Sequence, residues 1–183
     1  MTLAQTLLSG SFLLFAGLGC IGEATGADTP FPEPEVGSSG GGVEKAVLAG
    51  GCFWGVDAVF KHVRGVSKVL SGYAGGSSDT ASYEIVSSGR TGHAEAVEIT
   101  FDSRLVSFGT LLRIFFSVAH DPTEVNRQGP DVGTQYRSAI FYLSKDQERV
   151  ARSYIGQLSR SGLFSRPIAT EVVPLEAFYP AED

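Results

Sequence analysis

Cysteine is scarce in this chain. Its 183 residues include two, Cys20 and Cys52, and neither lies in a C-x-x-C or other zinc-like spacing. That excludes a disulfide-stapled scaffold and a zinc finger or ribbon. Positive charge is also short, with 14 Lys and Arg against 20 Asp and Glu, for a formal net charge of -6. Residues 1 to 42 hold Glu23, Asp28, Glu33 and Glu35 and no Lys or Arg, which leaves -2 on the rest. With no basic stripe and no aromatic-basic alternation, nucleic acid is not an expected partner. Hydrophobic residues at 43% and charged residues at 19% are globular values, and the length suits one domain plus a leader.

Residues 3 to 22 are apolar or small, with Leu7-Leu8 and Phe12-Leu13-Leu14-Phe15 at the centre. They read as a secretory signal peptide with Thr25-Gly26-Ala27 before the cut, although a positive n-region is missing. The span is also long enough for a membrane anchor. Leu18-Gly19-Cys20 allows a lipoprotein site, and an upstream translation start is a third reading. The expected organisation is therefore a signal peptide or anchor at 1–27, a flexible Gly/Pro/Ser-rich linker at 28–42 and a folded domain at 43–183. Export would place that domain in the secretory pathway, the periplasm or outside the cell, as a monomer.

Within the domain the organising stretch is Gly51-Cys52-Phe53-Trp54-Gly55. It follows the apolar run Ala46-Val47-Leu48-Ala49 and leads into an amphipathic segment, Val56 to Val63. Strand, glycine turn and helix are expected, with Cys52 at the helix start. Free N–H groups and the helix dipole there favour a thiolate and a lowered thiol pKa. Phe53 and Trp54 beside a turn imply a pocket wall. A buried structural cysteine is the alternative.

Further strands are expected at Val66 to Gly72, Ala94 to Phe101, Ser138 to Leu143 and Ala169 to Val173. Helices are expected at Ser107 to Ala119, with Ser107 as N-cap, and at Lys145 to Ser161, ending at Gly162. A long polar loop, His120 to Tyr136, separates two of these elements. The order is that of an α/β (α+β) two-layer sandwich with a ferredoxin-like β-α-β-β-α-β core.

Glu95, in Thr91-Gly92-His93-Ala94-Glu95, is a candidate general acid if burial raises its pKa. It is also readable as an edge-strand surface charge. His93 reads as a loop histidine bonded to backbone. Tyr83 and Tyr136 are candidate donors to a substrate oxygen, or else amphipathic packing residues. His93, Glu95, His120 and Asp121 have no metal-ligand spacing. At this level cysteine hydrolases, peroxidases and sulfoxide reductases all remain open.

Four stretches narrow the choice. Gly51-Cys52-Phe53-Trp54-Gly55, Gly89-Arg90-Thr91-Gly92-His93-Ala94-Glu95, His120-Asp121-Pro122-Thr123 with Asn126-Arg127-Gln128-Gly129, and Gln135-Tyr136-Arg137-Ser138-Ala139-Ile140 resemble the methionine sulfoxide reductase A family. The resemblance runs from about Val43 to Asp183. It implies a two-layer α/β fold and reduction of methionine-S-sulfoxide, free or in proteins, in protein repair and oxidative-stress defence. It implies Cys52 as the nucleophile that becomes a sulfenic acid and Glu95 as the acid. Tyr83 and Tyr136 would bond the sulfoxide oxygen, Phe53 and Trp54 would hold the methyl group, and Asp131 would sit in the same site. No bound cofactor or metal is implied, only an external thiol reductant: thioredoxin, glutaredoxin or glutathione.

The chain departs from the family at one feature. A second, resolving cysteine is common there, either in the loop where this chain has Ser87 and Ser88 or in a C-terminal tail, and residues 43 to 183 contain none. A one-cysteine enzyme recycled directly by an external thiol is expected, with a truncated chain as the bland alternative. An inactive or single-turnover binder of oxidised methionine and an acyl hydrolase using His93 are the competing functions.

Overall fold

The computed structural model describes residues 31–37 and 40–182. The expected leader, with Cys20, lies outside the described residues. In chain order the elements are β1 (Val43–Gly50), α1 (Phe53–Phe60), β2 (Val66–Ala74), α2 (Tyr83–Val86), β3 (Ala94–Asp102) and α3 (Phe108–Ile114). They continue with β4 (Arg127–Gln128), β5 (Asp131–Val132), β6 (Ser138–Tyr142), α4 (Lys145–Ser161), β7 (Glu171–Pro174) and β8 (Phe178–Pro180).

Local chemistry accounts for the main elements. Residues 46 to 50 of β1 are buried, as befits a central strand covered on both faces, so the run is apolar without alternation. The Ser107 side chain caps α3 by accepting from the Thr110 N–H, at 3.0 Å. Beyond Ile114 that helix passes into a π-helical turn, Phe115–Ala119. Ser144 caps α4 through the Gln147 N–H, and Gly162, left-handed at φ 75°, ends it. The buried stripe Val150, Ala151, Tyr154 and Leu158 is the helical spacing that the sequence shows.

One six-stranded sheet runs in the order β7-β6-β1-β3-β2-β8. β1 is antiparallel to β3 and β6, and β2 is antiparallel to β3. The inner order β6-β1-β3-β2 is the ferredoxin-like arrangement of two split β-α-β units. β7 adds parallel to β6 after α4, and β8 adds antiparallel to β2. Leu48, Ile99, Phe101 and Ile140 on one face share a core with Phe60 of α1, Leu111 and Leu112 of α3, and Tyr154 of α4. Burying each such side chain contributes roughly 1.5–3 kcal/mol relative to exposure. The other face is built of smaller residues, Val47, Ala49, Ala96 and Ala139 with Phe141, and is covered by Val173, Leu175 and Phe178.

Four short elements lie beyond the sequence reading: α2, β8, and the β4–β5 hairpin inside the expected polar loop; β2 runs two residues further than expected. Residues 31–37 also differ from the flexible linker expected there. Phe31 packs edge-on against Phe164 with centroids 5.9 Å apart. The Tyr154 hydroxyl donates to the Pro32 carbonyl at 2.9 Å, and Arg113 pairs with Glu33 at 2.7 Å. Gln157 adds bonds to the Glu35 N–H and the Glu33 carbonyl, and a Pro-rich segment costs little entropy to fix, so these anchors dock it.

Candidate active site

Cys52 sits where β1 turns into α1, as the residue that caps the helix. The turn requires Gly51. Its φ is +93°, and a Cβ there would come within 2.6 Å of the Gln128 side chain. Gln128 belongs to the β4–β5 hairpin and is held by bonds to the Asp121 N–H and carbonyl, at 3.0 and 3.1 Å. The polar loop thus clamps the nucleophile's turn from outside. Behind it, His120 is stacked on Phe115 at 4.0 Å. It is bonded to Ser138 Oγ at 2.7 Å and to the Phe115 carbonyl at 3.1 Å. Burial holds its pKa down at about 4.

Glu95, on β3, is 2% exposed. Its Oε2 accepts the Phe53 N–H at 3.0 Å. It is therefore a buried carboxyl at the helix start, one residue from the thiol, and not an edge-strand charge. Burial pushes its pKa up, the Phe53 N–H pulls it back, and the charge of Asp131 raises it again. The Cys52 pKa is raised as well, which corrects the lowered thiol expected from the helix dipole. Burial is the main cause, and the charges of Glu95 and Asp131 add to it. The Trp54 and Gly55 N–H groups pull the other way. The physical reason is that burial penalises the thiolate more than the first N–H groups of the short α1 stabilise it, and the Glu95 charge adds to that penalty.

The Glu95 charge holds the Cys52 thiol further from ionisation, and between their two pKa values the pair carries one proton. In one tautomer it lies on sulfur; in the other the site holds a thiolate beside a carboxylic acid.

The remaining expected site residues gather around this pair. Tyr136 lies on a 3-10 turn, Thr134–Tyr136, and burial raises its pKa, followed by the charges of Glu95 and Asp131 and by Tyr83 and Cys52. Asp131 lies on β5. Tyr83 opens α2 and stacks on Phe53 at 6.5 Å. The two aromatics after the cysteine differ: Phe53 is 3% exposed and Trp54 is 66% exposed, with centroids 5.9 Å apart. Phe53 is a floor and Trp54 an open wall. A cleft of about 730 Å³ adjoins them, lined also by Asp57, Tyr73, Tyr83 and Glu182. Cys52, Glu95, Asp131 and Tyr136 do not line that cleft.

His93 is fully buried, with Nδ1 facing the Gly76 N–H at 3.2 Å and Nε2 facing the Ser77 carbonyl at 3.0 Å. Both ring nitrogens are engaged by backbone, which removes it as a hydrolase base. Among the described residues no three His, Cys, Asp or Glu side chains form a group able to hold a metal ion.

Sequence reasoning missed Tyr73 and Glu182. Tyr73 is one residue past the strand expected at Val66 to Gly72; it lies in β2, fully buried, 5.9 Å from the Phe53 ring. The two-residue spacing Val69, Ser71, Tyr73 was the available signal. For Glu182 no local signal exists.

A thiol and a buried acid at one helix start, ringed by two tyrosines and an aromatic wall, suit reduction of a polar S=O group bearing an apolar methyl. Comparison with known proteins agrees with that chemistry. The family model "Peptide methionine sulfoxide reductase" matches residues 44–183. The peptide methionine sulfoxide reductase MsrA 2 of Mesorhizobium japonicum is 57% identical over 142 residues, which cover 78% of this chain and 73% of that protein. Among solved structures, reduced Mxr1 of Saccharomyces cerevisiae is similar with a TM-score of 0.70 and 32% identity, covering 78% of this chain and 81% of that one. Mxr1 in complex with Trx2 is similar at 0.52 and 25%, covering 77% and 82%. With a match over nearly the whole described domain, the chain belongs to the peptide methionine sulfoxide reductase family.

Proposed function

We propose that this protein reduces methionine-S-sulfoxide, free or in oxidised proteins, to methionine, using Cys52 as nucleophile and Glu95 as acid. The observation that carries the reading is the 3.0 Å bond from the Phe53 N–H to the buried Glu95 carboxyl, which sets acid and thiol at one helix start.

In the tautomer with a thiolate and a carboxylic acid, Sγ attacks the sulfoxide sulfur. Glu95 gives its proton to the sulfoxide oxygen, which is a poor leaving group until protonated. Tyr83 and Tyr136 donate hydrogen bonds to the same oxygen, while Phe53 and Trp54 enclose the methyl group. The S–O bond of the substrate breaks, methionine leaves with its lone pair restored, and the hydroxyl ends on Cys52 as a sulfenic acid. A first external thiol condenses with that acid to give a mixed disulfide and water, and a second releases Cys52 as thiol and itself as disulfide. The sum is one sulfoxide and two thiols to one thioether, one disulfide and one water.

A thioredoxin-type protein is the natural donor, supported by the complex of the similar Mxr1 with Trx2. Glutaredoxin and glutathione supply the same thiol chemistry. Export of a monomeric repair enzyme is the accompanying reading of the apolar residues 1 to 27.

The test is mass spectrometry of the protein mixed with excess methionine-S-sulfoxide. One methionine per chain and a sulfenic Cys52 without reductant, and turnover once thioredoxin or glutathione is added, are expected. Absence of methionine would overturn the reading.

A further inference from the structure

β8 lies on the edge of β2 and carries Glu182 back toward the site. Gly72 pairs with Pro180, Tyr73 with Tyr179 and Ala74 with Phe178. The approach depends on Gly72, where a Cβ would collide with the Tyr179 carbonyl oxygen and the Phe178 ring. Past the strand, the Ala181 N–H donates to the Ser71 carbonyl at 2.9 Å. Glu182 then bridges two separate pieces of the fold. Its Oε2 accepts the hydroxyl of buried Tyr73 at 3.1 Å, and its Oε1 accepts the backbone N–H of Tyr83 at 3.0 Å.

Tyr83 needs such an anchor. It is the first residue of the four-residue helix α2, it is 48% exposed, and its ring meets the site through Phe53 alone among the aromatic contacts. A one-turn helix does not hold its own geometry, because nucleation costs more than a single turn returns. Tyr73, in contrast, is a rigid post: fully buried, in a paired strand, and packed on Phe53. The carboxylate transfers that rigidity to Tyr83. Its own N–H, the Tyr83 N–H and the Tyr73 hydroxyl hold the Glu182 pKa below the usual value, so the charged acceptor is present at neutral pH.

We propose that Glu182 is a positioning residue for sulfoxide reduction: by joining the Tyr83 amide to the buried Tyr73 hydroxyl, it fixes where the Tyr83 phenol stands over Phe53, the residue after Cys52. This rests on the reading above in which that phenol bonds the sulfoxide oxygen. Glu182 itself touches no reacting atom.

The experiment measures single-turnover formation of methionine from methionine-S-sulfoxide by the full chain, as wild type, Glu182→Gln, Tyr83→Phe and the double variant. Glutamine offers one acceptor oxygen where the carboxylate offers two, and turns an NH2 donor toward the other donor. Glu182→Gln is expected to lower the saturated rate about tenfold, with half-saturation within about twofold of wild type, and to add less than about twofold on top of Tyr83→Phe. Tyr73→Phe, which keeps the buried ring and deletes one donor, is expected to show a smaller loss that also vanishes in the Tyr83→Phe background.

A Glu182→Gln rate equal to wild type would overturn the proposal. So would equal fold losses in the presence and absence of the Tyr83 hydroxyl, which would indicate a general structural role. If Glu182→Gln does not fold, the Tyr73→Phe pair decides on the same criterion. A wild-type protein that forms no methionine would sink the reductase reading itself. An active wild type matched by Tyr83→Phe would instead remove the phenol's role, and with it the proposal.

Discussion

Glu95 accepts the Phe53 amide hydrogen at 3.0 Å, across 42 residues of sequence, and is almost completely buried in doing so. The bond couples two properties that proteins usually keep apart. It caps the start of α1, and it holds a carboxyl close enough to Cys52 that its charge opposes ionisation of the thiol. A residue with a structural and a chemical duty can be dissected by a substitution that keeps one of them.

Glu95→Gln is that substitution. The amide oxygen can still accept the Phe53 N–H, so the helix start persists, but no acidic proton remains for the sulfoxide oxygen. The rate of methionine formation is expected to fall by about 10²–10⁴, the usual size of a general-acid contribution, with half-saturation little changed. Equal losses in rate and binding, measured by stopped-flow and by titration, would reduce Glu95 to a cap.

The same variant carries a stability signature. Glu95 has a folded-state pKa above that of an ordinary glutamate, so between those two values the folded state binds more protons than the unfolded one. Stability therefore falls as pH rises through that window. Glutamine does not titrate. Urea unfolding is expected to show Glu95→Gln gaining on wild type as pH rises above the ordinary carboxyl value of about 4.3, and a constant difference would contradict the buried, raised carboxyl.

His120 works in the opposite sense. Its folded pKa is depressed to about 4 from 6.5, so its contribution is present above 6.5 and is lost as pH falls toward 4. Loss of that contribution is on the order of 3 kcal/mol, from about 1.4 kcal/mol per unit. His120→Gln is expected to flatten the slope of unfolding free energy across this range. An unchanged slope would mean that another group carries the acid sensitivity.

Gly51→Ala tests the turn. A methyl at φ +93° is strained by about 1–3 kcal/mol, and it would also stand 2.6 Å from Gln128 Cβ. The turn must open or the hairpin must move, and either shifts Cys52. Loss of methionine formation with the fold retained by circular dichroism is expected. A fully active variant would show that the β4–β5 hairpin does not set the sulfur's position.

These predictions draw unevenly on what the sequence made legible. The inner strands and α4 could be read because each carries its own signal: an unbroken apolar run at Ala46 to Ala49, a helical stripe between Ser144 and Gly162. α2 and β8 carry none, being four and three residues long and held by distant partners. The site divides the same way. Cys52, Glu95 and Tyr136 stand in recognisable local stretches, whereas the Tyr73–Glu182 contact spans 109 residues. The direction of the thiol's shift was misread for the same reason, since the dipole argument is local, whereas the burial of the sulfur and the opposing charges on Glu95 and Asp131 arrive from elsewhere in the fold.

Trp54 is the part of the site whose removal separates binding from folding most cleanly. The residue is 66% exposed, and the one aromatic contact it makes among the described residues, with Phe53, leaves Phe53 buried by its other neighbours. Trp54→Ala is therefore expected to change unfolding free energy by less than about 0.5 kcal/mol, as for other exposed positions. An exposed aromatic beside the nucleophile supplies area only when a ligand covers it. Loss of that covered area weakens substrate and transition state together, so half-saturation is expected to rise about tenfold while the saturated rate holds. Steady-state kinetics with methionine-S-sulfoxide and thioredoxin give both quantities. A fall in the saturated rate at constant half-saturation would place Trp54 in the chemical step instead, orienting the sulfoxide for attack by Cys52.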